Sequence, residues 1–270
     1  MDSCFEYGLR SKRSAVRGAW CLGLVALAAC SRAQQESLLQ PQSGRDVIAR
    51  MHQAYRGHWY NTLTFIQRTT FVRPNGTRDS ALWHESVKGA DRLRIDFGPL
   101  ADGNGAIFTA DSTITIRNGA VVRRVGSGNP FLPLIQGVYL QDPEVTERQL
   151  APFGFALDRV YHTEFDGRPA WVVGAASPAD STSAQFWVDS ERWVLLRMIL
   201  APAQAGRPVT DAKLTRYVRV GETAWLGTYV TITTGQTQQL EEYTNWRVNV
   251  ELSDALFDPA QWRSAPHWGR

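Results

Sequence analysis

The sequence predicts a mainly β protein: one antiparallel, up-and-down sheet of about a dozen strands that curls into a barrel or splits into a sandwich. Three observations predict it. From Leu63 onward apolar and polar residues alternate with period two, the signature of strands with two unlike faces. Asn75-Gly76, Asn118-Gly119 and Asp166-Gly167 fall between such runs, and these pairs favour the tight turns that join antiparallel neighbours. Ten tryptophans, nine of them after residue 30, supply large apolar side chains for one face of the sheet, which then needs a second layer or a lipophilic ligand opposite it.

Before the sheet comes a leader. Arg10, Lys12, Arg13 and Arg17 precede an uncharged apolar run, Gly18 to Cys30, which matches a secretory signal peptide and predicts export. The run is shorter than the ~20 apolar residues of a membrane span. It ends in Leu27-Ala28-Ala29-Cys30, which resembles a lipobox, so Cys30 is the expected lipidation site and membrane association through acylated Cys30 is expected. Cleavage after Ala33, in Ser31-Arg32-Ala33, is the alternative. Residues 1–29 are read as the signal peptide and residues 30–44, rich in Gln and Ser, as a flexible tether. All three cysteines lie at or before residue 30, so the rest of the chain must rely on core burial rather than disulfides.

Residues 45–262 form the predicted domain and 263–270 a short tail. Val47, Ile48, Met51 and Tyr55 recur at helical spacing behind Ser43 and Asp46, which have capping-box spacing with Asp in place of Glu. In the strands that follow, Leu93, Ile95 and Phe97 alternate with Arg92, Arg94 and Asp96, and Ile114 and Ile116 with Thr113, Thr115 and Arg117. Further on, Val230 and Ile232 alternate with threonines, and Trp246, Val248, Val250 and Leu252 with polar residues. Each such strand is expected to have one wet face. Between Gly126 and Gly154, four prolines and an apolar cluster (Phe131, Leu132, Leu134, Ile135, Val138, Tyr139) interrupt the strands, as a lid over the sheet or as an ordinary connection capping one end.

Chemistry-bearing motifs are weak. The formal charge of +3 falls to about +1 without the leader, which holds four basic and two acidic residues, and this gives no dense basic surface for nucleic acid. His84-Glu85 lacks the second histidine of a zinc-protease helix, the five histidines are scattered, and no metal site or cofactor is expected. There is no G-x-S-x-G elbow. Glu241 and Glu242 are adjacent, so on a strand they point to opposite faces and cannot act together on one bond. His162 and Glu164 share a face but read as a solvent-facing pair. No catalytic residue is assigned.

The order VIARMHQAYRG, LTFIQRTT, ALWHESVKGADRLRIDF, AIFTADSTITIRNGAVV, a proline-rich apolar insert, FWVDSERWVLLRMIL and a closing VNVELSDALFDP resembles the LolA/LolB-type outer-membrane lipoprotein carrier family. The resemblance implies an incomplete antiparallel β-barrel covered by short helices, a periplasmic location with anchoring to the outer membrane, and monomeric, non-enzymatic binding of lipid acyl chains or lipoproteins. It implies that Leu93, Ile95, Phe97, Ile114, Ile116, Val230, Ile232, Trp246 and Val248 line the cavity and that the Phe131–Tyr139 cluster covers it. In the family a basic residue, usually within an Arg-Pro pair, helps hold the lid closed. Lys88 and Arg92 flank Gly89-Ala90-Asp91 here without that pair, so they are the candidate latch. An envelope regulator resembling RseB is the alternative role, and the chain leaves no room after Trp262 for the extra domain such regulators carry.

Overall fold

The two edge strands of the sheet are consecutive in the chain, and that single topological fact organises the molecule. In the computed structural model, which describes residues 40–202 and 204–269, thirteen strands form one antiparallel sheet in the order β6-β5-β4-β3-β2-β1-β13-β12-β11-β10-β9-β8-β7. β1 (Thr62–Val72) pairs with β13 (Thr237–Val248) at the middle, so the first and last strands close the centre. β6 (Ala120–Val125) and β7 (Val160–Phe165) are left as free edges, and the sheet is not closed. Cys30, the leader and most of the tether lie outside the described residues. Among the described residues no helix is long and apolar enough to cross a membrane.

The helical elements are few. α1 (Gly44–Tyr55) starts where expected: the Ser43 side chain accepts from the Asp46 backbone N–H, and the Asp46 carboxylate accepts from the Gln42 N–H at 2.9 Å. Its buried stripe is Val47, Ile48, Met51 and Tyr55. Gly44 is required by contact, since a β-carbon there would sit 2.4 Å from Val173. The segment joining β6 to β7 contains a π-helical turn (Pro133–Gly137) running into α2 (Val138–Leu140), then α3 (Pro143–Leu150). His52 of α1 lies 3.1 Å from the Val138 carbonyl, and Arg45 pairs with Glu147 at 2.9 Å, so α1 and this insert form one layer.

The hairpins follow their sequences. Asn118 and Gly119 (φ 50° and 80°) and Asp166 and Gly167 (φ 52° and 74°) both occupy the left-handed region that a type I′ turn needs. At Asn75-Gly76 only the glycine does so, and Arg73 and Thr77 close a longer loop.

Three expectations are corrected. The closing strand does not extend to Leu252: Asn245 (φ 54°) lies where the β1–β13 register slips, and Asn249 (φ 56°) turns the chain out of the sheet after Val248. From there residues 252–269 run across the convex side of β2–β5, in two 3-10 turns, Asp254–Phe257 and Pro259–Gln261. The stretch 263–270, set apart as a tail, therefore contributes Ala265 and His267 to the packed interior. Finally, the face of β3 (Arg92–Phe97) read as wet is dry: Arg94 and Asp96 are 1% and 2% exposed beneath that segment.

The main core lies between the concave face and the helical layer. A separate cluster on the convex side joins Ile107, Ile114 and Ile116 to Trp262. Gly105 makes that contact possible, because a β-carbon there would meet the Trp262 indole at 2.7 Å.

Candidate functional site

On the concave face, cross-strand partners form rows. Leu63, Val87 and Leu93 make one row over β1, β2 (Arg78–Lys88) and β3, Phe65, Glu85 and Ile95 the next, and Gln67, Trp83 and Phe97 a third. Across the β1–β13 seam, Thr69 pairs with Glu241 and Glu241 with Val230, while Phe71 pairs with Gln239 and Gln239 with Ile232. These rows do not fill the space beneath the helical layer. A cavity of about 250 Å³ remains, with Leu214, Leu226, Val230 and Ile232 on one wall and Leu63, Phe65, Leu93 and Ile95 on another. Gly227 leaves room for the Tyr217 ring, whose edge lies 3.2 Å from where a β-carbon would be.

Phe131, Leu132, Ile135 and Tyr139 of the insert form the cover. Leu134 and Val138 belong to the same segment but are fully buried in the core and hold it down instead of facing the cavity. Gln136 is the polar pin. Its amide donates to the carbonyls of Tyr60 and Gly89, both at 3.1 Å, and its oxygen accepts from the Trp59 indole at 2.9 Å. Trp59 also stacks on Tyr139 at 3.8 Å between ring centres. The reason for this cover is the strand order, since the insert is the connection that must cross from one free edge to the other.

Of the residues expected to line the cavity, the structure brings together Leu93, Ile95, Val230 and Ile232. Phe97 and Val248 pack against the main core beside it without lining it. Ile114 and Ile116 point the other way. Through Ile107 and Gly105 of β4 (Gly105–Phe108) they share a row with Arg94 and Asp96, on the convex face. Trp246 is 38% exposed, because it follows the slip in register at Asn245.

Lys88 and Arg92 do not latch the lid. Lys88 donates to the Leu252 carbonyl at 2.6 Å and pairs with Asp254 at 2.9 Å, and Arg92 pairs with the same carboxylate at 2.5 Å. They clamp the C-terminal segment to the sheet.

Sequence reasoning missed a polar group on the floor of the cavity: Gln67, Glu85, Gln239, Glu241 and Tyr243. Glu241 does point away from Glu242, as adjacency requires. It is 7% exposed and accepts from Gln239 at 2.6 Å and from Tyr243 at 2.7 Å. Burial raises its pKa, tempered by hydrogen bonds from Tyr243, Gln239 and Gln67. Burial pushes Glu85 well above the usual carboxylate range, and the neighbouring Glu241 adds to the rise. The available signal was a break in the period-two pattern, with Glu85 standing between the apolar Trp83 and Val87. Among the described residues no group of three or more His, Cys, Asp or Glu is placed to hold a metal.

This arrangement, an open antiparallel half-barrel with a helical cover over an apolar cavity, is a LolA-like fold. No family model matches the sequence, and no curated protein matches it. Solved structures do. A domain from Vibrio parahaemolyticus assigned to outer membrane lipoprotein sorting is similar with a TM-score of 0.54 at 13% identity, over 80% of this chain and 97% of that one. A DUF1329 family protein from Desulfovibrio piger gives a TM-score of 0.55 at 16% identity, over 80% and 95%. A LolA superfamily protein from Nitrosomonas europaea gives 0.51 at 9% identity, over 80% and 97%. The likeness is one of fold.

Proposed function

We propose that this protein is a cell-envelope carrier or receptor that takes acyl chains of lipoproteins or other lipids into the cavity by non-covalent burial. The observation that carries the reading is the unfilled apolar space between the concave face and the Phe131–Tyr139 cover. Burial there suffices to hold such a chain, because each methylene leaving water contributes about 0.8 kcal/mol. The apolar cover can close over the chain, or reclaim the space when it leaves. No covalent step is needed, and the reading assigns no catalytic residue.

In this reading the protein works as a monomer in the periplasm. Acylated Cys30 and the 30–44 tether hold the cavity near the outer membrane, whereas cleavage after Ala33 makes the same domain a diffusing shuttle. Mass spectrometry of the protein purified from its native envelope tests both points. Co-purifying lipid at one molecule per chain and an acyl mass on Cys30 are expected. Protein free of lipid in every preparation contradicts the carrier role.

A further inference from the structure

The floor of the cavity carries two carboxyl groups and no base. Among the described residues that line it there is no Lys, Arg or His. Glu241 is engaged through both oxygens, by Gln239 and by Tyr243. Glu85 is different: it is 6% exposed, lines the cavity between Phe65 and Ile95, and accepts no hydrogen bond from any described residue. Buried charges are ordinarily paired. The deeply buried aspartates, by contrast, have protein partners: Asp96 has Arg94 and His267, and Asp189 has Arg168.

Resting on the lipid-carrier reading, we propose that Glu85, with Glu241 lining the same cavity floor, receives the polar group of the cargo, and that this group is a basic nitrogen. The cavity thus takes an aliphatic ammonium amphiphile in preference to an alcohol, and an alcohol in preference to a carboxylate.

The ranking follows from the donor inventory. An ammonium brings three N–H donors and a positive charge to the Glu85 carboxyl in a low-dielectric site, where charge-assisted hydrogen bonds are strongest. A hydroxyl brings one donor and no charge. A carboxylate brings only acceptors and a charge that no basic residue of the lining offsets, so it can be met only by a proton retained on a cavity acid. Gln67 and Gln239 border the same floor and supply neutral donors and acceptors to the rest of the head group.

The test uses delipidated protein loaded with diphenylhexatriene, a neutral apolar fluorophore, and displacement by dodecylamine, dodecanol or dodecanoate at neutral pH below their micelle concentrations. Dodecylamine is expected to displace the probe at a concentration about tenfold or more below that of dodecanol, the gain of one charged hydrogen bond, with dodecanoate weakest. In Glu85→Gln the advantage of the amine over the alcohol should fall, and in Glu85→Gln with Glu241→Gln it should vanish, while dodecanol still displaces. Equal displacement by all three compounds in the wild-type protein, or any order that does not put the amine first, overturns the assignment and leaves the lipid-carrier reading standing. Absence of saturable diphenylhexatriene binding removes both.

Discussion

Arg94 and Asp96, two residues apart on one strand, meet in a two-point ion pair on the convex face, Nε to Oδ2 and Nη2 to Oδ1, both at 2.8 Å. The pair is closed off from water by the C-terminal segment. Arg94 also donates to the carbonyls of Leu256 and Trp262, its guanidinium lies 3.6 Å from the centre of the Trp262 ring, and His267 approaches Asp96 at 3.1 Å. The strap of residues 252–269 is thus fixed by a charge pair formed entirely within the sheet.

Removing one partner should be costly. Asp96→Ala leaves Arg94 buried and charged, with an expected loss of about 3–5 kcal/mol, a large share of the roughly 5–15 kcal/mol that holds a domain together. The double replacement Arg94→Met with Asp96→Leu should recover most of that loss. Urea unfolding of the wild type and both variants checks it. Burial alone would raise the Asp96 pKa, but hydrogen bonds from His267 and Arg94 outweigh it and the net shift is downward. The contribution of this carboxylate is therefore present above the ordinary value of about 3.9 and lost as pH falls through its lower folded value.

The two faces of the sheet should respond differently to truncation and filling. Ile116 is fully buried against Trp262 on the convex side, so Ile116→Ala should cost about 2–5 kcal/mol. Its folded fraction should bind an apolar probe as the wild type does. Ile232→Trp fills the cavity instead, and should weaken binding while leaving the unfolding midpoint nearly unchanged. Parallel denaturation and probe titrations distinguish them.

The cover depends on one amide. Gln136→Leu removes three hydrogen bonds and leaves the Trp59 indole and two carbonyls without their partner. A loss of about 2–3 kcal/mol is expected. Hydrogen exchange should speed up in residues 131–140 before the strands are affected, and a bound probe should dissociate faster.

The cavity acids predict a distinct pH dependence for the delipidated protein. Because the Glu85 pKa is raised in the folded state, the unfolded chain loses this proton first. Stability is then fully present below the unfolded value of about 4.3 and is lost as pH rises toward the folded one. Glu85→Gln should therefore melt at a higher temperature than the wild type at pH 8, by an amount on the order of 1–3 kcal/mol in stability. The two should converge below about pH 4. Thermal melts at the two pH values suffice. Glu241 also has a raised pKa and remains in the single variant, so part of the wild-type decline persists there.

How much of this was legible in the sequence depends on the range of the interaction. Local patterns were: the Ser43–Asp46 cap, the buried stripe of α1, and the turns at Asn118-Gly119 and Asp166-Gly167 are each decided by neighbours in the chain. Alternation also told which residues share a face, as with Ile114 and Ile116, but not which face. That is decided by pairing through Ile107 and by Trp262, nearly 150 residues away. Arg94 and Asp96 looked solvent-facing because polar residues usually are, and only the strap that covers them makes them internal. For the same reason Lys88 and Arg92 could not be matched to Asp254. The strand order that turns the insert into a cover is likewise invisible in local composition. Glu85 was visible as a break in an apolar set, yet its meaning needs Glu241, brought to the same cavity floor across the β1–β13 seam.

Whether the cavity binds lipid is decided most simply by titrating delipidated protein with diphenylhexatriene, beside Ile232→Trp and Ile116→Ala. Saturation at one probe per chain is expected, with an affinity reduced at least about tenfold, or 1.4 kcal/mol, when the cavity is filled at Ile232, and no change at Ile116. Binding that does not saturate, or that is indifferent to the Ile232 substitution, would contradict a lipid-binding role for the cavity.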